Sequence, residues 1–188
     1  MGRKGDAMAK MTATKPTKSR AAPAKPAPVP ASTVKLAAGD RAPDFSLPDG
    51  DGGMRRLKDH AGRKLVLYFY PKDDTSGCTA EAIDFNRLRG AFDEAGTAIL
   101  GVSPDDPASH AKFASKHGLS IPLAADEDKD MLVAYGVWAE KSMYGRKYMG
   151  VERTTMLIGP DGRILRVWDK VKVPGHAEEV LEAAKAAG

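Results

Sequence analysis

Cys78 is the single cysteine among 188 residues, and its neighbours are unusual company for a structural thiol. It lies in the run Tyr70-Pro71-Lys72-Asp73-Asp74-Thr75-Ser76-Gly77-Cys78-Thr79-Ala80-Glu81. The run follows a strongly apolar segment and precedes one with helical spacing, which puts Cys78 in or just before a first helical turn. Unpaired backbone N–H groups and the positive end of the helix dipole gather there. Both favour a charged sulfur, and the thiolate is the form that attacks. Thr75 stands three residues earlier, a position from which its hydroxyl reaches the sulfur or an oxygen bound beside it. Gly77 lets backbone approach the reacting atoms closely. The competing reading of a lone cysteine is a small buried hydrophobe. Against it stands the setting, Asp, Ser, Gly and Thr at the C-terminal end of a strand, where α/β folds collect ligands.

Other chemistries find less support. One cysteine excludes an intrachain disulfide, a CxxC redox pair and a multi-cysteine metal site. Asp49-Gly50-Asp51-Gly52-Gly53 suggests a calcium loop, but with Asp49 as position 1, position 12 is His60, where a bidentate Glu is needed. The four histidines, His60, His110, His117 and His176, form no cluster in sequence and read as solvated surface, with His110 and His117 able to share one helix face. No glycine-rich phosphate loop follows a strand, so neither a nucleotide cofactor nor a metal is expected.

The elements that must position Cys78 follow from periodicity. Lys64–Tyr70 is apolar on both parities, as a central strand covered on both faces should be. Thr79–Phe92 has helical spacing, with Ile83, Leu88 and Phe92 apolar and Glu81, Asp84, Arg87 and Arg89 expected to be exposed. Ala98–Ser103 reads as a second buried strand, Pro107–His117 as a helix stopped by Gly118, Ile121–Ala125 as a short strand and Lys129–Tyr135 as a short helix. Thr154–Ile158 and Arg163–Trp168 flank Gly159-Pro160-Asp161-Gly162 as a hairpin, and His176–Ala187 closes the chain as a helix. Before the central strand, Ala42–Leu47 alternates like a strand and Met54–Leu57 is its expected partner across a turn. This order implies an α/β fold with a mixed sheet covered by helices, its first two core strands parallel and its last pair antiparallel.

Residues 1–34 have a different texture. They hold seven basic residues against Asp6 alone, and Ala21–Ser32 is almost all Ala and Pro. Such a stretch cannot bury enough apolar area to offset its ordering entropy, so a disordered basic tail is expected, with the folded domain at 35–188. The domain itself holds 22 basic and 24 acidic residues, so the net charge of +4 belongs to the tail. Weak contact of the tail with nucleic acid or an anionic surface is one expectation, a plain solubilising tail another, and a mitochondrial transit peptide, disfavoured by the many prolines, a third. No apolar run is long enough to span a membrane, and no apolar leader segment opens the chain. The cytoplasm and a monomer are the default expectations.

Phe69-Tyr70-Pro71-Lys72-Asp73 followed by Thr75-Ser76-Gly77-Cys78-Thr79 resembles the peroxidatic motif of the peroxiredoxins, in particular the bacterioferritin comigratory protein or peroxiredoxin Q subgroup. Pro71, Thr75 and Cys78 occupy the fixed positions of that family's Pro-x-x-x-Thr-x-x-Cys pattern. Gly136-Val137-Trp138, Lys141 and Gly145 in a mid-chain loop, and Glu152-Arg153-Thr154-Thr155-Met156-Leu157-Ile158, extend the likeness over residues 36–187. The resemblance implies a thioredoxin-like fold and a thiol-dependent peroxidase acting on hydrogen peroxide and organic hydroperoxides. It implies that Cys78 attacks the peroxide and becomes a sulfenic acid, that Thr75 hydrogen-bonds thiolate and peroxide, and that Arg153 places a cation beside the sulfur. Backbone N–H groups near Gly77 and Cys78 would hold the peroxide oxygens, and Pro71 would shield the sulfenate. Trp138 is read as core packing. One departure stands out: where many relatives carry a resolving cysteine, five residues after the first, this chain has Ile83. An external thiol (thioredoxin, glutaredoxin or a small thiol) is therefore the expected reductant. The rival expectations are a peroxide sensor with little turnover and a nucleic-acid-associated protein acting through its tail.

Overall fold

The computed structural model describes residues 35–188, so the expectations for the basic tail lie outside the described residues. Nine strands and four α-helices follow in order. They are β1 (Ser46–Pro48), β2 (Met54–Arg56), β3 (Lys64–Phe69), α1 (Ser76–Glu94), β4 (Thr97–Ser103), α2 (Pro107–His117), β5 (Leu123–Ala125), α3 (Asp130–Ala134), β6 (Trp138–Met143), β7 (Arg146–Val151), β8 (Thr154–Ile158), β9 (Ile164–Trp168) and α4 (His176–Ala186). A 3-10 turn at Leu57–His60 precedes β3.

Five strands form the central sheet in the order β5-β4-β3-β8-β9. β3 runs parallel to β4 and antiparallel to β8, and β8 pairs antiparallel with β9, so the sheet is mixed. β3 is buried along its whole length, and its period-2 geometry divides it between two cores. Leu65, Leu67 and Phe69 pack with Leu100, Val102, Leu132 and Met156 on one face. Val66, Tyr68 and Tyr70 pack with Cys78, Phe85, Phe92 and Val180 on the other, beneath α1 and α4. Each fully buried side chain of this kind contributes about 1.5–3 kcal/mol relative to exposure. A continuously apolar strand is what this double coverage demands. α2 begins with Asp106 accepting from the Ser109 N–H at 2.8 Å, Pro107 in its first turn, and ends at left-handed Gly118.

Three sequence expectations are corrected. The strand read at Ala42–Leu47 is ordered as a strand only from Ser46, because Ala42 and Phe45 turn into the core rather than pairing along a ladder. The mid-chain loop is an antiparallel hairpin of β6 and β7, whose Tyr144-Gly145 turn has φ of 51° and 75°. Positive φ at both central residues is the turn that matches strand twist. The helix faces of α1 also differ from expectation: Glu81 is buried and Ile83 is 42% exposed, because the face turned to the sheet is set by Cys78, Ala82 and Phe85.

Candidate active site

Cys78 lies at the third position of α1, with Thr75 as the N-cap residue. The first intrahelical bond there is the Thr79 N–H to the Thr75 carbonyl at 2.8 Å. The N–H groups of Ser76, Gly77 and Cys78 thus precede the helical ladder and face outward from it. Thr75 does not cap them: its hydroxyl donates to the Lys72 carbonyl at 3.2 Å. The helix start keeps its donors for something else, and an anion or a polarised oxygen is what such a start attracts.

The sulfur is only 1% exposed, set against Tyr68, Tyr70, Ala82 and Phe85. Among the described residues its one polar partner comes from far along the chain. The Arg153 Nη2 donates to Cys78 Sγ at 3.2 Å. Arg153 follows β7 and immediately precedes β8, and the β3–β8 register pairs Phe69 with Thr154, so the arginine arrives beside the loop that leaves β3. A Cβ on Gly77 would lie 3.3 Å from that same Nη2, tighter than ordinary packing, so glycine here gives the guanidinium room to reach the sulfur.

The other end of Arg153 is held by Glu81, whose Oε2 accepts from Nη1. Burial works against the charge of Arg153, but Glu81 and Cys78 beside it outweigh that and hold it more firmly protonated than usual. Burial pushes the Glu81 carboxyl up to about 7, against the pull of Arg153. Its Oε1 is buried without a partner. Sequence reading missed this residue by treating it as surface. The signal was its spacing, since three residues after Cys78 is the same helix face.

Of the five residues singled out in sequence, the structure brings Cys78, Arg153 and Gly77 into contact range. Thr75 sits exposed at the rim with its hydroxyl turned to Lys72, and Pro71 is half-buried at the start of the loop. Trp138 is half-buried and packs against the core.

The histidines are corrected more sharply. His110 is fully buried: Nδ1 lies 2.8 Å from Asp73 Oδ2 and Nε2 lies 3.2 Å from the Ala124 carbonyl. His176 is buried too, with Nε2 2.8 Å from the Thr155 hydroxyl, and burial holds its pKa down to about 4. Both pack inward because each occupies the sheet-facing side of its helix, where a polar partner from the sheet or the adjoining loop satisfies the ring. Among the described residues, no helix is long and apolar enough to cross a membrane.

The AhpC/TSA family matches residues 38–167. Peroxiredoxin Bcp of Xanthomonas campestris is 49% identical over 143 residues, covering 76% of this chain and 89% of that protein. Peroxiredoxin Bcp of Bacillus subtilis is 44% identical over 147 residues, covering 78% and 94%. Among solved structures, the Xanthomonas campestris bacterioferritin comigratory protein, described for alkyl peroxide reduction, superposes with a TM-score of 0.73 at 48% identity, over 76% of this chain and 90% of that one. Peroxidoxin BcpB of Mycobacterium tuberculosis does so with a TM-score of 0.73 at 34% identity, over 81% and 99%.

Proposed function

This chain belongs to the AhpC/TSA family as a peroxiredoxin, a thiol-dependent peroxidase, and on that premise we propose that Cys78 is its peroxidatic nucleophile, acting on hydrogen peroxide and organic hydroperoxides. The observation that carries the assignment is the placement of Cys78 Sγ at 3.2 Å from Arg153 Nη2, at a helix start whose N–H groups precede the ladder. The alkyl peroxide activity described for the Xanthomonas campestris relative supports the organic hydroperoxide part of the reading.

The chemistry follows from where charge moves. The thiolate attacks one peroxide oxygen; an S–O bond forms as the O–O bond breaks. Negative charge develops on the departing oxygen, which takes a proton and leaves as water or an alcohol. Preorganised donors aimed at that charge stabilise the transition state. Arg153 and the N–H groups of Gly77 and Cys78 are the donors in reach, Thr75 is placed at the rim to bond the incoming oxygen, and Pro71 shields the sulfenic acid left on Cys78. With no second cysteine in these 188 residues, an external thiol attacks the sulfenic sulfur and expels water. A second thiol then releases Cys78 as a disulfide departs. Thioredoxin, glutaredoxin and small thiols are all chemically competent. A reduced thiol of this kind suits the cytoplasm.

Mass spectrometry of the intact chain after one equivalent of peroxide tests this. Addition of one oxygen at Cys78, converted to a mixed disulfide by added thiol, is the expected result. An unmodified Cys78 would overturn it.

A further inference from the structure

The loop from Tyr70 to Thr75 carries the chain from β3 to the reactive cysteine, and it is bonded to its surroundings far more densely than its turn geometry requires. Its centre is the Asp73 carboxylate, which is almost fully buried. Oδ1 accepts from the Tyr70 hydroxyl at 2.7 Å. Oδ2 accepts from the Ser109 hydroxyl at 2.8 Å and lies 2.8 Å from His110 Nδ1. The Asp73 N–H donates to Asp105 Oδ2 at 2.8 Å, and the Ser103 hydroxyl donates to that same oxygen at 2.7 Å. His110 reaches on to the Ala124 carbonyl of β5. One loop residue is thereby tied to β3, to the end of β4, to α2 and, through His110, to β5.

None of these groups hydrogen-bonds Cys78, although the Tyr70 ring packs in the same apolar cluster, and the peroxidase reading uses none of them. Yet Cys78 is buried, and an external thiol cannot meet a buried sulfur unless the first turn of α1 moves. Whatever fixes the loop before that turn also fixes how readily the turn opens. Burial works against the Asp73 charge, but the bonds from His110, Tyr70 and Ser109 hold its carboxyl below the ordinary range. Charge-assisted bonds in a dry setting are the strong ones. The neighbouring Asp74 meets Lys116 and His117 at the surface, where such pairs add little.

We propose that Asp73 is a positioning residue for Cys78: through Ser109, His110 and Tyr70 it lashes the β3–α1 loop to α2 and the sheet, holding Cys78 seated beside Arg153 and limiting its exposure to thiols. The proposal rests on the reading of Cys78 as the peroxidatic residue.

Three measurements on the reduced full chain test it: amide hydrogen exchange resolved by mass spectrometry, alkylation of Cys78 by iodoacetamide, and stopped-flow oxidation by hydrogen peroxide. Asp73→Asn is expected to raise exchange over residues 76–81 and the alkylation rate by about tenfold, the worth of one charge-assisted bond. The peroxide step should slow by a similar factor, while exchange in β4 and α4 stays as it was. Ser109→Ala removes a single donor and is expected to move the same quantities the same way, by less. Unchanged exchange at 76–81 in both variants would overturn the proposal. So would increases spread evenly through β4 and α4, which would make Asp73 a general stabiliser. Exchange needs no peroxide, so a failure of Cys78 to oxidise in the unaltered chain would count against the peroxidase reading, while the exchange data still decide the role of Asp73.

Discussion

Two arms of the chain deliver the two halves of the proposed reactive pair, and they are built differently. The Tyr70–Thr75 loop delivers Cys78 and is bound on several sides by side chains from α2 and from Asp105 in the loop between β4 and α2. The β6–β7 hairpin leads to Arg153 and holds mainly to itself, through the ladder from Trp138↔Val151 to Met143↔Arg146. Its far end is open to water: Tyr144 is 97% exposed, with Met143, Tyr148 and Met149 beside it. A lone two-stranded hairpin is marginal in water. Arg153 is nevertheless fixed, because its position comes from continuity with β8 and from Glu81 rather than from the hairpin tip. Precision at a site is thus supplied by the nearest rigid element, and the length of the connecting arm matters little.

The largest test of this contrast is the proposed nucleophile itself. Cys78→Ser should abolish thiol-dependent peroxide consumption with the fold retained, checked by circular dichroism; residual turnover would mean that another group does the chemistry. On the opposite arm, Arg153→Met should slow Cys78 oxidation by about 10²–10³-fold, the usual cost of removing a preorganised charge-stabilising donor. Stopped-flow traces matching the unaltered chain would remove Arg153 from the site. Thr75→Val, at the rim, should cost about tenfold in the same assay, the worth of one hydrogen bond made only when peroxide is present.

A pH measurement probes the support beneath the cysteine arm. His176 packs edge-on against the Phe85 ring of α1, and burial holds it neutral down to about 4. The unfolded chain takes up that proton near 6.5, so between 6.5 and 4 it binds more protons than the folded chain. His176 therefore contributes stability that is lost as pH is lowered through that window, while Glu81, pushed up to about 7, contributes in the opposite sense. His176→Gln should make the slope of urea-derived stability against pH less positive over that range, and an unaltered slope would show that His176 does not contribute to it. The smallest effect belongs to the hairpin tip: Tyr144→Ser should leave the peroxide step within experimental error. A marked loss would mean that the open arm does position Arg153.

Much of this was legible in the sequence, and the limits are instructive. β3 and α2 were readable because a doubly covered strand must be apolar on both parities, and because Asp106, Pro107 and Gly118 punctuate a helix by backbone chemistry alone. The hairpin at 138–151 was not, since an exposed ladder of Glu, Lys, Ser, Met and Tyr carries no inside-outside alternation to read. Cys78 was found from its local setting. Arg153 emerged only from the family resemblance, because its approach to the sulfur depends on the β3–β8 pairing. Glu81, Asp73 and His110 were misjudged or passed over for one reason. Charged residues read as surface until a partner is known, and the charged partners are distant: His110 lies 37 residues from Asp73, and Arg153 lies 72 from Glu81.

That same β3–β8 pairing fixes when the sulfur meets the guanidinium. Cys78 and Arg153 are 75 residues apart, and β8 is the second-last strand of the sheet to leave the ribosome. Long-range pairings of this kind are paid for late in folding, after the local helices have formed. Through most of its synthesis the chain therefore carries Cys78 without the Arg153 guanidinium beside it and without a closed pocket. On the reading proposed above, the site is assembled only by the completion of the sheet.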